Sequence, residues 1–325
     1  MVPMRLSVEK VAKLFEDFGK LKIAVVGDLI LDKYVFGRVE RISPEAPVPV
    51  FEIEREEYRA GGAANVSLNL KSLGVGEVAL FGRVGNDEEG RILKRLVTSA
   101  GVKTFFVETP DVPTTRKTRL VARSQQLIRI DREKRTPLGE GEVQTLLEGL
   151  YRFKPDAVIV SDYAKGVLTE ELASGLRNLK VLTVADPRPK NTHLYRGFTT
   201  VTPNLKEFEE MKLTLKVDQR DFESGAKRVM ELLELEKLVV TLSAKGIALV
   251  SSEGVKRFPA TAKEVYDVTG AGDTVVATLT ATVAASGDWE LACRLANVAA
   301  GIVVGKLGTA TASVDEILST LKDEG

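Results

Sequence analysis

The chain has 325 residues, 44% of them hydrophobic, enough to fill one large α/β core or two medium ones. Its 46 Lys and Arg balance 46 Asp and Glu with no long basic tract, so nucleic acid is not an expected partner. A single cysteine excludes an internal disulfide and, with a single histidine, a His/Cys zinc cluster.

The N-terminal stretch reads as an amphipathic helix with Val8, Val11, Leu14, Phe15 and Phe18 along one side, and it lacks the apolar core of a secretion signal. The most apolar long window, Val275 to Ala285, is too short to span a bilayer. No membrane partner is therefore expected, and a cytoplasmic location is.

β-rich runs follow at 22–27, 77–82, 104–107, 157–160, 181–185, 200–202 and 237–242. Helical patterns at 63–73, 88–100, 140–151, 169–179 and 218–235 separate most of them. That alternation predicts a mostly parallel sheet covered by helices on both faces. Two segments break the rhythm, 33–59 and 114–133, and read as extra antiparallel strands forming a small lid over the strand ends, where ligands bind in such sheets. An apolar lid edge is also a candidate for pairing two subunits. No linker or repeat divides the chain, so one domain with a lid is expected.

Several short motifs carry chemistry. Gly27-Asp28 ends the first strand and is followed by Asp32, and strand-end carboxylates suit sugar hydroxyls. Arg59-Ala-Gly61-Gly62-Ala-Ala-Asn65 reads as a helix start in which the glycines admit a sugar and the Asn65 amide can donate to and accept from it. Asn204-Leu-Lys206-Glu207 enters a helix, where Asn204 is a natural N-cap and Glu207 its capping-box partner. The same two side chains could face nucleotide phosphates and position Mg²⁺ through water. Thr241-Leu-Ser243-Ala-Lys245-Gly246 joins two strands, either as a plain hairpin or as a nucleotide-lining loop.

Asp267-Val-Thr269-Gly270-Ala271-Gly272-Asp273 opens the most apolar helix. Small residues at a helix N-terminus leave backbone N–H groups free for an anion, and a carboxylate beside them can take a proton from a hydroxyl. Alone, the motif reads equally well as a cap and a turn. Walker and dinucleotide glycine fingerprints are missing, which disfavours a dehydrogenase and leaves this helix start as the phosphate site. Cys293 lies in an apolar helical pattern and His193 in a loop, and neither is read as a nucleophile.

In this order and spacing, the motifs together resemble the ribokinase-like (PfkB) carbohydrate kinases over nearly the whole chain. The resemblance implies a three-layer ribokinase-like α/β sandwich with a β lid. It makes Asp273 the catalytic base and Gly270, Ala271 and Gly272 the anion hole. Asn204, Lys206, Glu207, Ser243, Lys245 and Gly246 would serve ATP and its Mg²⁺, while Asp28, Asp32, Gly61, Gly62 and Asn65 would hold the sugar. A monovalent cation, K⁺, is implied near Asp267 and Thr269. Ser243 departs from the pattern, since many members carry glycine there.

Within that family, the segment 27–50 with Ser161-Asp-Tyr-Ala-Lys165-Gly and Ala185-Asp186-Pro-Arg-Pro-Lys190 is similar to the heptose 7-phosphate kinases of lipopolysaccharide core synthesis. This implies transfer of the ATP γ-phosphoryl to O1 of D-glycero-β-D-manno-heptose 7-phosphate, with Lys165, Asp186 and Lys190 at the substrate. Lys165, Arg188, Lys190, Arg116, Lys117 and Arg129 are the cations available for its phosphate. Many such kinases are fused to a C-terminal nucleotidyltransferase, and the adenylylation step is not expected of this chain. Another sugar or nucleoside kinase of the family, or a non-catalytic sugar-binding regulator, fits the same motifs.

Overall fold

A computed structural model describes residues 6–123, 125–218, 220–261 and 265–323. Ser124, inside the second expected lid segment, and Gln219, inside the 218–235 helix expectation, lie outside the described residues.

Six parallel strands form the central sheet: β1 (Lys22–Gly27), β4 (Glu77–Gly85), β5 (Lys103–Thr109), β8 (Ala157–Ser161), β9 (Leu182–Asp186) and β10 (Thr200–Val201). Their spatial order is β10-β9-β8-β1-β4-β5. These strands are continuous apolar runs because both faces are covered. In β1, Ile23 and Val25 enter one core layer while Ala24 and Val26 enter the other. One layer holds α1 (Val8–Phe18), α2 (Ala63–Ser72), α3 (Glu88–Ser99), α8 (Ala271–Ser286), α9 (Trp289–Val303) and α10 (Val314–Asp323). The other holds α4 (Glu140–Phe153), α5 (Glu170–Asn178), α6 (Leu205–Thr214) and α7 (Phe222–Leu233). The expected amphipathic first helix is α1, with Val11, Leu14, Phe15 and Phe18 buried.

A second, antiparallel sheet of β11 (Leu238–Thr241), β12 (Ile247–Ser251) and β13 (Gly254–Phe258) continues the first. The join is a single parallel bridge between Asn204 and Thr241, with the Thr241 N–H donating to Pro203 O at 2.9 Å. It sets the Asn204 and Thr241–Gly246 loops side by side.

The lid is a four-stranded sheet in the order β3-β2-β6-β7, made of β2 (Leu29–Ile42), β3 (Pro49–Gly62), β6 (Thr115–Ala122) and β7 (Gln125–Arg132). Two differences from the sequence expectation matter. The first hairpin is longer than 33–59, because β2 leaves the core one residue after β1 and β3 returns as far as Gly62. Gly61 and Gly62 therefore end a strand as well as leading into the expected helix: Gly62 is the N-cap of α2, which begins at Ala63. The lid is also not wholly antiparallel: its two hairpins meet through the parallel pair β2–β6.

The C-terminal ends of β1, β8, β9, β10 and β11 all open on one edge beneath the lid. Chain order reverses at β1, with β4 on one side and β8 on the other, so this edge is a topological switch point. Helix α8 points its N-terminus at that crevice and buries every residue from Asp273 to Val283. Truncating fully buried Leu279 to Ala would cost about 2–5 kcal/mol.

Candidate active site

Asp273 lies in the first turn of α8 and is 3% exposed. Gly270 caps the helix at φ +82°, a left-handed conformation suited to glycine, and an added Cβ there would sit 3.0 Å from Asn65 Nδ2. The Ala271 N–H donates to Val268 O at 3.2 Å. Those of Gly270, Gly272 and Asp273 find no acceptor among the described residues. A Cβ on Gly272 would meet nothing within 4 Å, so open space lies before these donors. Free amides at a helix N-terminus facing open space suit a phosphoryl group.

Both oxygens of Asp273 are held. Asn65 Nδ2 donates to Oδ2 at 2.7 Å and the Tyr163 hydroxyl to Oδ1 at 3.1 Å. Burial is the main cause that pushes this carboxyl up to about 6; Asp32 adds to the rise, and the two hydrogen bonds and Arg188 oppose it. A base titrating near there is ionised at neutral pH yet basic enough to accept a proton.

Asp32, 3% exposed on β2, pairs with Arg119 of β6 at 2.5 Å, tying the two lid hairpins together. A Cβ on Gly61 would lie 2.4 Å from Asp32 Oδ2, so the glycine makes room for this carboxylate. Gly62, at φ +58°, lets β3 turn into α2 close to the carbonyl of Asp28.

The Asp28 carboxylate accepts three backbone N–H groups, from Tyr163 (2.8 Å), Lys165 (3.0 Å) and Val167 (3.2 Å). It braces the loop after β8. Burial, followed by the neighbouring Asp162, pushes it up to about 6 against those bonds.

Alongside the crevice, Asn204 and Glu207 form the expected capping box: Asn204 Oδ1 accepts from the Glu207 N–H at 2.9 Å and Glu207 Oε2 from the Asn204 N–H at 3.0 Å. Glu207 Oε1 also binds Arg188 Nη1 at 2.6 Å. Arg188 lies over the Tyr163 ring, 4.7 Å from its centroid. Asp186 is half-buried nearby, its carboxyl raised well above the usual range chiefly by loss of water and next by the charges of Asp273 and Glu207.

Ser243, Ala244 and Lys245 make an exposed 3-10 turn between β11 and β12. Ser243 has φ +52°, a conformation in which glycine is the less strained residue. Gly246 is required by packing, since a Cβ would lie 2.0 Å from Phe258 O.

Asp267 clamps two loops, accepting from the Thr269 N–H and hydroxyl through Oδ1 (2.9 and 2.7 Å) and from the Gly308 N–H through Oδ2 (2.8 Å).

The geometry thus gathers Asp32, Gly61, Asn65, Tyr163, Asp186, Arg188 and Asp273 at one crevice, with Asn204, Glu207 and the Ser243–Gly246 turn alongside. Three residues singled out in the sequence stand apart. Lys190 is exposed, and Lys206 lies on the solvent face of α6, 3.9 Å from Glu210; Lys245 tips the exposed turn. Lys165 does approach the crevice, where its ammonium pairs with Glu133. Two side chains are prominent that the sequence motifs did not single out, Tyr163 and Arg119. Tyr163 lay inside the quoted Ser161–Gly166 segment, whereas Arg119 is one of several basic residues on β6 and carries no local signal.

The model of the pfkB family carbohydrate kinases matches residues 20–316. The chain belongs to this family. Curated relatives of this carbohydrate kinase include the bifunctional protein HldE of Shewanella piezotolerans, 44% identical over 311 residues covering 94% of this chain and 64% of that protein. Its namesake from Methylococcus capsulatus is 44% identical over 308 residues, with the same coverage. The chain thus spans just under two thirds of the length of the curated relatives it matches. Among solved structures, Escherichia coli phosphofructokinase-2 in complex with potassium superposes with a TM-score of 0.78 at 20% identity, and Thermotoga maritima ribokinase with 0.76 at 21%. Each alignment covers 93% of this chain and 99% of the other. They confirm the ribokinase-like fold expected from the sequence. No helix among the described residues is long and apolar enough to cross a membrane.

Proposed function

We propose that this kinase transfers the γ-phosphoryl of ATP to O1 of D-glycero-β-D-manno-heptose 7-phosphate, giving the 1,7-bisphosphate. The observation that carries the reading is the pairing of a buried, doubly held carboxylate, Asp273, with three free amides on the same helix turn. Asp273 takes the proton of the O1 hydroxyl as that oxygen bonds to the γ-phosphorus, and the bond from phosphorus to the bridging oxygen breaks to release ADP. The amides of Gly270, Gly272 and Asp273 stabilise the charge on the transferring oxygens. The choice of heptose rests on the 27–50, 161–166 and 185–190 segments together with the HldE relatives.

The donor set fits a water-mediated Mg²⁺ better than a directly ligated one. Both Glu207 oxygens already accept a hydrogen bond, leaving lone pairs for metal-bound water. Mg²⁺ would neutralise phosphate charge on the ATP. Asp267 is likewise committed to Thr269 and Gly308, so K⁺ at this place would be held by backbone carbonyls of the loops that Asp267 shapes.

Pairing narrows the choice among the cations for the substrate phosphate. Lys165 is committed to Glu133, Arg188 to Glu207, Arg116 to Glu89 and Arg129 to Asp131. Lys190 is exposed. Lys117 is half-buried on the lid and has no ion-pair partner among the described residues. Its ammonium stands 5.5 Å from the Tyr163 ring centroid. Loss of water lowers its proton affinity; the Asp32 carboxylate opposes this, and the nearby Lys165, Arg129 and Arg119 lower it further. A partly desolvated ammonium without an ion pair of its own, beside three cations and the Asp32 carboxylate, is the group that gains most from an incoming phosphate.

Two copies pairing through the lid remain part of the proposal, supported by Ile42, Ile53, Leu127, Ile128 and Ile130, which are exposed on its strands.

A coupled assay of ADP release with heptose 7-phosphate, unphosphorylated heptose, ribose, fructose 6-phosphate and nucleosides tests the reading. It predicts the highest kcat/KM for heptose 7-phosphate; a clear preference for another acceptor would replace the substrate, and no ADP release above the blank would reject a kinase.

A further inference from the structure

Tyr163 takes no part in the proton transfer as written, yet the fold invests heavily in its position. Its N–H is one of the three that Asp28 holds. The next residue, Ala164, has φ +53° and donates its N–H to the Asp162 carboxylate at 2.7 Å. Asp162 is itself anchored by Asn191 Nδ2 (2.8 Å) and the Tyr195 hydroxyl (2.5 Å). Gly166 turns at φ +110°, where a Cβ would lie 2.1 Å from Thr136 O. Two carboxylates and two left-handed residues thus fix a five-residue loop. The outcome of that fixing is one phenol hydroxyl placed 3.1 Å from Asp273 Oδ1, its ring flanked by Arg188 and Lys117.

We propose that Tyr163 is a positioning residue for the base: its hydroxyl holds Oδ1 of Asp273 in place and favours the ionised carboxylate, opposite the Asn65 amide on Oδ2. The inference rests on the reading of Asp273 as the base, but the two can fail separately. A hydrogen bond donated to a carboxylate stabilises the charged form, which is the form that accepts the substrate proton. The phenol stays a donor, because burial and then the Asp273 charge push its own ionisation well above the usual value. The other charged groups facing Asp273 are Asp32 from β2, Asp186 at the end of β9 and Arg188 just after it. None of these is removed by a change at the Tyr163 hydroxyl, and Arg188 keeps its ring contact if the ring remains.

Tyr163→Phe deletes that one oxygen, and the experiment is the pH profile of kcat/KM in wild type and variant with the preferred sugar and saturating ATP. Losing a hydrogen bond to a charged group, about 1.5 kcal/mol, corresponds to about one pH unit. The ascending limb should therefore move from about 6 to about 7. The rate should fall roughly fivefold at pH 6 and twofold at pH 7, and recover above about pH 8.5. Titration of the Asp273 carboxyl by ¹³C NMR without substrate should show the same displacement. A limb and titration that do not move, with activity unchanged or lowered equally at every pH, would overturn the inference, even where Asp273→Asn is inactive and the reading of the base stands. Should Asp273→Asn keep wild-type turnover, the reading of the base falls instead.

Discussion

Asn65 and Asp273 are 208 positions apart in sequence and 2.7 Å apart in space. The contact joins two distant parts of the chain: Asn65 rides on α2, just after the lid returns to the core, and Asp273 in the first turn of α8. The Asn65 carbonyl in turn accepts from Asn69 Nδ2 (2.9 Å), whose Oδ1 accepts the Thr274 hydroxyl (2.8 Å). Together they make a buried polar seam between the two helices.

Asn65→Ala removes one of the two bonds that orient the base and leaves its charge less supported. Steady-state kinetics should show kcat down on the order of tenfold, short of the ~10²-fold or more expected for losing a base itself, with the KM for ATP little changed. Equal losses through KM for both substrates would place Asn65 in general binding.

The raised Asp273 carboxyl sets the pH dependence. As the proposed base it acts when ionised, so kcat/KM should be level above about pH 6 and fall tenfold per unit below it. The sign for stability is the reverse: a carboxyl raised in the folded state binds protons more tightly there than when unfolded. Its contribution is therefore present below the unfolded value of about 4 and lost as pH rises through about 6. Asp273→Asn should thus be inactive and yet, at pH 8, more resistant to denaturant by about 1–3 kcal/mol. Urea titrations of both proteins at pH 5 and pH 8 check this, with the difference shrinking at the lower pH.

Two glycines of the site should respond oppositely to an added methyl. Gly61→Ala drives a Cβ into Asp32 and should weaken the Asp32–Arg119 pair, raising the KM for the sugar and lowering the melting temperature by a few degrees. Gly272→Ala meets nothing and exchanges a poor helix former for a good one, so the fold should be as stable or about 1 kcal/mol more so. Its methyl stands before the free amides, and kcat should fall. Calorimetry and kinetics on the same two variants read both effects.

Much of this arrangement is legible in the sequence. The parallel sheet follows from alternating apolar runs and helical patterns, and the Asn204–Glu207 capping box from local spacing, because both are short-range. The helix start after the glycines at 61 and 62 is legible, but the lid strand that runs into them is not, since the sequence shows only two small residues there. For Asp28 the sequence shows a strand-end carboxylate but not the three backbone N–H groups that it accepts, which come from a loop about 135 residues on. Arg119 and the hydroxyl of Tyr163 depend on chain segments about 90 and 110 residues from their partners, which no local pattern records.

Lys117→Met keeps the bulk of the side chain and removes the charge. The KM for a phosphorylated acceptor should rise by about tenfold or more, the loss of one charge-assisted contact, while turnover of the unphosphorylated sugar stays within about twofold. Equal effects on both acceptors would assign the phosphate to another cation.

The most direct test of the central claim is the position of the new phosphate. With ATP, Mg²⁺ and D-glycero-β-D-manno-heptose 7-phosphate, ³¹P NMR of the wild-type reaction should show an anomeric phosphate signal, coupled to H1, growing in step with ADP. The Asp273→Asn reaction should show none. A new phosphate on any other carbon, or turnover unchanged without the Asp273 carboxylate, would contradict the account.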